Sequence, residues 1–187
     1  MTTSRTVAVI VGSLRKDSIT RKVAKAMEGV APSGLSFKDI DIGTLPLYNQ
    51  DLEAAVPPAW AAFRDAVRAC DAVLFATPEY NRSVPGALKN AIDVGSRPYG
   101  KSVWSGKPCA VVSVSPGALG AFGANHHLRQ SLVFLDMPAM QQPEAYVGGA
   151  AAMFDAEGKL TNDSTREFLT KFMATFATWI DKTRKAG

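Results

Sequence analysis

Two short segments of this chain gather residue types that can do chemistry. The first reads Gly12-Ser13-Leu14-Arg15-Lys16-Asp17-Ser18-Ile19-Thr20. Ser13, Ser18 and Thr20 supply hydroxyl donors, and Arg15 supplies a guanidinium fork suited to phosphate. A helix start at Ser18 would add free N–H groups and the positive end of a helix dipole. Taken singly, Ser18 could serve only as a helix cap and Arg15 only as a surface charge. The second segment reads Thr77-Pro78-Glu79-Tyr80-Asn81-Arg82-Ser83-Val84-Pro85-Gly86. Its prolines stiffen both ends, and the polar and aromatic residues between them suit a loop that holds its shape against a ligand. Glu79 could equally cap a turn, and Tyr80 could pack with its hydroxyl at the surface.

Each segment directly follows an apolar run. Thr6-Val7-Ala8-Val9-Ile10-Val11 and Ala72-Val73-Leu74-Phe75-Ala76 are near-continuous, the mark of strands buried on both faces. Ile19, Val23, Ala26, Met27 and Val30 recur at helical spacing, which predicts a helix over 18–30. Residues 35–42 alternate and predict a strand nearer an edge; 108–115 and 139–147 predict two more. Helices are expected over 59–69, 85–95, 125–135 and 164–185, the last with Phe168, Phe172, Phe176 and Trp179 turned to the core. The intervals 45–58, 97–106, 116–123 and 148–161 read as loops.

Strand and helix thus alternate five times, which implies a parallel sheet covered on both faces. The expected fold is α/β, a flavodoxin-like three-layer sandwich with strand order 2-1-3-4-5, in one domain over 1–187. Such sheets bind ligands at the carboxyl ends of their strands, beside the switch point between strands 1 and 3, where both segments lie. Two other phosphate motifs are missing: no GxxxxGK[ST] loop occurs, and the first turn lacks GxGxxG. The glycines at 117, 120 and 123 follow the fourth strand, where they read as permissive backbone beside a ligand.

Bulk composition narrows the classes. The chain has 187 residues, 47% hydrophobic and 20% charged, which is globular and not disordered. The net charge of +4 comes without basic blocks interleaved with aromatics, so no nucleic-acid partner is expected. No apolar run approaches membrane-spanning length, and no signal peptide is visible, so no membrane partner is expected. Cys70 and Cys109 lack metal or CxxC spacing; Cys109, within a strand-like run, reads as a small buried apolar residue, and the compartment as reducing and cytoplasmic.

With both loops in view, the chain resembles the NADPH-dependent FMN reductase family of flavodoxin-like proteins, in particular its quinone and chromate reductases. The matching motifs are Gly-Ser-Leu-Arg-x-x-Ser at 12–18, Pro-Glu-Tyr-Asn-x-Ser-x-Pro-Gly-x-Leu-Lys-Asn-Ala-Ile-Asp at 78–93, and Ser115-x-Gly117 with His127-Leu128-Arg129-Gln130 downstream. The resemblance implies bound FMN, with Ser13, Arg15, Ser18 and Thr20 on its phosphate; many relatives carry asparagine where Thr20 stands. It implies Pro78, Glu79, Tyr80 and Asn81 along the isoalloxazine, Ser83 helping to hold the loop, and Ser115 and Gly117 approaching the ring. Arg97 would face the open side of the flavin and meet an anionic nicotinamide or acceptor, although its place at a helix end suits a cation in any case.

The implied activity is an FMN-dependent NAD(P)H oxidoreductase that reduces quinones, chromate, azo compounds or other small oxidants by a ping-pong cycle. The cofactor carries the chemistry, so no side chain is assigned as general acid or base; His126 and His127 read as packed or interfacial. A homodimer is implied. Relatives near the chromate reductases carry arginine and tyrosine at the places of Gly123 and His126, residues implicated in forming a homotetramer, so this sequence leaves the tetramer open. Three other readings remain: a flavin reductase releasing reduced FMN to a monooxygenase, a flavodoxin-type electron carrier, and a phosphate-ligand module without redox function. The basic charge and long 78–86 loop speak against the carrier.

Overall fold

The computed structural model of the protein describes residues 4–184. Five strands, β1 (Arg5–Val11), β2 (Leu35–Asp39), β3 (Ala72–Thr77), β4 (Cys109–Val114) and β5 (Ala145–Val147), alternate with five helices. The helices are α1 (Ile19–Gly29), α2 (Pro58–Arg68), α3 (Gly86–Gly95), α4 (Phe122–Phe134) and α5 (Asp163–Thr183). All strand pairs are parallel, in the order β2-β1-β3-β4-β5, as the alternation of strands and helices predicts.

Alternate residues of the central strands enter opposite cores. Val7, Val9 and Val11 of β1 pack with Val23 and Met27 of α1 and with Phe172 and Phe176 of α5. Ala8 and Ile10 face the other way, onto Trp60 and Phe63 of α2, Leu88 of α3 and Leu128 and Leu132 of α4. Burial on both faces is why β1, β3 and β4 read as continuous apolar runs. Phe168 and Trp179 only partly enter the first core, with the Trp179 indole donating to the Pro138 carbonyl at 2.8 Å.

Several expected boundaries move. The strand predicted over 139–147 is three residues long, with Ala139 making a single bridge to Cys109. Pro143 lacks an N–H, so the pairing cannot run continuously. β2 ends at Asp39 rather than at 42, and a 3-10 turn, Gln50–Ala55, lies inside the expected 45–58 loop. α4 starts at Phe122, inside the stretch read as a glycine loop. α5 runs to Thr183; the expected end at Lys185, like the first three residues, lies outside the described residues.

Candidate cofactor site

The carboxyl ends of β1, β3 and β4 open into one cleft of about 160 Å3. One end is the turn between β1 and α1, where Ser13, Arg15, Ser18 and Thr20 line the cleft. Pro78, Glu79 and Tyr80 form one wall, and Ser115 and Pro116 the other. The two sequence segments meet because Gly12 has no side chain: a Cβ there would sit 3.2 Å from Leu88 Cδ2 and 3.3 Å from Pro78 Cδ.

The β1–α1 turn has the donor set of an anion site. Ser18 is the N-cap of α1, its Oγ accepting from the Arg21 N–H at 3.1 Å, which leaves the hydroxyl proton available. Ser13 and Thr20 are each 4% exposed, and neither hydroxyl has a hydrogen-bond partner among the described residues. Both residues line the cleft, so their hydroxyls are free to bond a ligand there. Arg15 is exposed at the rim, and α1 directs its N-terminal end to the same place.

The 78–86 loop is held by a tight hairpin. Tyr80 and Ser83 exchange backbone hydrogen bonds of 3.0 Å in both directions. The two residues between them are left-handed, Asn81 at φ 52° and Arg82 at φ 65°, the signature of a type I′ turn. Asparagine tolerates that conformation; arginine does so at a cost. Glu79 does act as a cap, but of another element: its Oε2 accepts the Ala124 N–H in the first turn of α4 at 3.1 Å. α4 has no cap from its own preceding residue, Ala121, so Glu79 supplies one across space. Ser83 pairs with His127 Nδ1 at 2.9 Å, which assigns this histidine to holding the loop. Gly123 permits the approach, since a Cβ there would lie 2.9 Å from both the Arg82 carbonyl and Glu79 Oε2.

On the opposite wall, Ser115 Oγ accepts the Gly117 N–H at 3.0 Å, and the Ser115 N–H donates to Val147 at 3.0 Å. Asn81, Ser83 and Gly117 thus belong to the wall-forming turns without lining the cleft. Arg97 stands apart. It follows the last turn of α3, whereas the cleft lies beside that helix's first turn; ten residues of helix span about 15 Å. There its guanidinium sits 5.9 Å from the centroid of Tyr48, beside a separate cleft that also holds Tyr99 and Phe134. Asn90 clamps the 45–48 segment, donating to the Leu45 and Pro46 carbonyls and accepting from the Tyr48 N–H, a structural part. Asn125, wholly buried in α4, carries a polar network that the sequence reading missed. Its position in step with buried Leu128 and Leu132 was the available signal, since a polar side chain on a core stripe needs a polar partner.

Among the described residues no group of His, Cys, Asp and Glu could hold a metal, and no helix is long and apolar enough to cross a membrane. The arrangement fits a ligand with an anionic end and a flat, hydrogen-bonding body. The family model for NADPH-dependent FMN reductases matches residues 5–152.

The chain belongs to the NADPH-dependent FMN reductase family. Within that family it falls in the quinone reductase branch: it is 68% identical over 179 residues to a quinone reductase of Pseudomonas putida, covering 95% of this chain and 96% of that protein. It is 46% identical to a 2-hydroxy-1,4-benzoquinone reductase of a Burkholderia species, covering 93% and 95%. Among solved structures, the flavoenzyme NAD(P)H:(acceptor) oxidoreductase FerB of Paracoccus denitrificans superposes with a TM-score of 0.92 at 45% identity, over 97% of this chain and all of that one. The expected flavodoxin-like fold and the expected class, an NAD(P)H-dependent FMN or quinone reductase, are both met. Family membership implies a flavin cofactor and a nicotinamide donor.

Proposed function

We propose that this chain reduces quinones with NAD(P)H, using FMN held in the cleft between the β1–α1 turn and the 78–86 loop. The observation that carries this reading is the pair of unpartnered hydroxyls, Ser13 and Thr20, that line the cleft at the open end of α1. With the free proton of Ser18 and the Arg15 guanidinium they would hold the phosphate. Pro78, Glu79, Tyr80 and Asn81 would flank the ring on one side, with Ser83 fixing their turn; Ser115 and Gly117 would flank it on the other. FMN, when bound, supplies a ring that takes hydride from the nicotinamide and passes reducing equivalents to the acceptor. The protein's own part is to orient that ring, exclude water and leave one face open; no side chain in the cleft is assigned a proton-transfer role.

Arg97 would meet the anionic part of the nicotinamide or acceptor, brought to the cleft by a second copy of the chain. Its distance from its own cleft supports that arrangement. So does its apolar surround, with Tyr99 90% and Phe134 88% exposed. A homodimer in a reducing cytoplasm, where Cys70 and Cys109 stay free, completes the reading.

The test mixes flavin-loaded protein anaerobically with NADH or NADPH, then with a panel of quinones, chromate and azo dyes. Rapid bleaching by a nicotinamide and recolouring by quinones is the expected result. Steady-state double-reciprocal plots should be parallel, because donor and acceptor use the same open face; intersecting lines would exclude a shared site. Failure of both nicotinamides to bleach the protein would return the electron-carrier reading, and loss of FMN on gel filtration the flavin-releasing one.

A further inference from the structure

We infer that Asn125 is a positioning residue for the cofactor cleft, acting through Ser113 on the wall that carries Ser115. The inference rests on the reading above that the cleft takes FMN.

Asn125 and Ser113 are both 0% exposed. The Asn125 amide donates to Ser113 Oγ at 3.1 Å and to the Ala145 carbonyl at 3.4 Å, and its Oδ1 accepts from Arg129 Nε at 2.9 Å. Both amide protons and the amide oxygen are therefore in use. Asn125 occupies one lone pair of Ser113, whose own proton goes to the Gly120 carbonyl at 2.7 Å in preference to the Ala145 carbonyl at 3.3 Å. Gly120 closes the turn that forms the wall: its N–H donates to Gly117 at 3.4 Å, and the Gly117 N–H donates to Ser115 Oγ at 3.0 Å. Gly120 is left-handed at φ 57° and lies so close to β5 that a Cβ would stand 2.6 Å from the Tyr146 backbone. A turn this tightly seated needs its carbonyl fixed, and Ser113 fixes it only while Asn125 orients the hydroxyl.

The same turns of α4 hold the other wall, through the Ala124 N–H on Glu79 and His127 on Ser83. One rigid helix thus sets the separation of the two walls. A loosened wall lowers affinity by raising the cost of ordering the site.

The test measures FMN affinity of the flavin-stripped full chain by quenching of flavin fluorescence, alongside the thermal midpoint of each variant. Asn125→Asp keeps the size and the Arg129 contact but removes both donors; Ser113→Ala removes the Gly120 anchor together with the acceptor of the Asn125 amide, and keeps the test decisive where Asn125→Asp fails to fold. Met173→Ala, in the core on the other face of the sheet, is the control for general destabilisation. The expected result is an FMN dissociation constant raised about tenfold for Ser113→Ala and Asn125→Asp, on the scale of one buried hydrogen bond, with the control unchanged in affinity despite a lower midpoint. Affinities within about twofold of the parent, or an equal loss in the control, would overturn the positioning role. A parent protein that takes up no FMN would instead overturn the cofactor reading on which it stands.

Discussion

Ser18 carries two roles that substitution can separate. Its oxygen caps α1 by accepting the Arg21 N–H, and its proton is free for a ligand. Aspartate caps as well as serine and suits the positive end of the helix dipole, but it brings a negative charge to the phosphate position and no donor. Ser18→Asp should therefore leave the thermal midpoint of the flavin-free protein unchanged or slightly raised, while FMN affinity falls by more than about tenfold. Ser18→Ala should lower stability by about 1 kcal/mol and weaken FMN less than aspartate does; equal affinity in Ser18→Asp and the parent would remove the anion site from this turn. Gly123 gives a second prediction at this scale. The methyl of Gly123→Ala would meet the Arg82 carbonyl and Glu79 Oε2 at 2.9 Å, so either α4 or the 78–86 loop must shift. The expected cost is about 1–3 kcal/mol in chemical denaturation, with weaker FMN binding; a variant matching the parent in both would show that the contact yields freely.

The 78–86 loop is an element whose composition announced a ligand wall and whose conformation was hidden. Its prolines and polar residues marked a shaped loop, but the left-handed pair Asn81–Arg82 was not legible, because arginine is a poor signal for positive φ. The β1–α1 turn was more legible, since a glycine, three hydroxyl residues and helical spacing from Ile19 onward all agree on one structure. α4 was least legible. Gly120 and Gly123 argued for a loop, while the cap that lets the helix start at Phe122 comes from Glu79, far away in sequence. β5 was overread for the converse reason: apolar content suggested a strand over 139–147 that Pro143 interrupts. The turn itself can be tested. A β-branched residue is strained at positive φ, so Asn81→Val should lower the thermal midpoint and weaken FMN, whereas Arg82→Gly relieves strain and gives up only an exposed ion pair to Glu79. Arg82→Gly should match or exceed the parent in stability. If Asn81→Val matches it as well, the hairpin does not need the left-handed pair.

At the scale of the whole molecule, a buried thiol and a half-buried phenol set an alkaline limit. Burial pushes the Cys109 thiol from 9.0 up to about 12. Burial, and then the hydrogen bond to Glu144, raise the Tyr146 phenol from 10.0 to about 12. Both give up their protons at lower pH in the unfolded chain, which therefore binds fewer protons than the folded one between these values. Stability should be flat with respect to these groups below pH 9.0 and fall as pH rises from there towards about 12. In denaturation midpoints taken across that range, Cys109→Ala should flatten the first part of the decline, before tyrosine contributes; an unaltered slope would deny the thiol its part.

Arg97 supplies the remaining prediction about the whole assembly. It lies beyond the far end of α3 from its own cleft, beside exposed Tyr99 and Phe134, so in the homodimer proposed above Arg97 would serve the cleft of the other copy. That geometry predicts complementation. Arg97→Ala retains an intact cofactor cleft but lacks the arginine that it lends, and Ser18→Asp lends an arginine but holds FMN only weakly. Each homodimer should be weak in quinone reduction. In a mixed dimer, the intact cleft of the Arg97→Ala chain faces the arginine of the Ser18→Asp chain, and one complete site returns. Co-expressed with separate affinity tags and purified through both, the mixed species should recover up to about half the parent kcat/KM per dimer, because one of its two sites is whole. If each chain used its own Arg97, the mixed dimer would contain no complete site, and no recovery would appear.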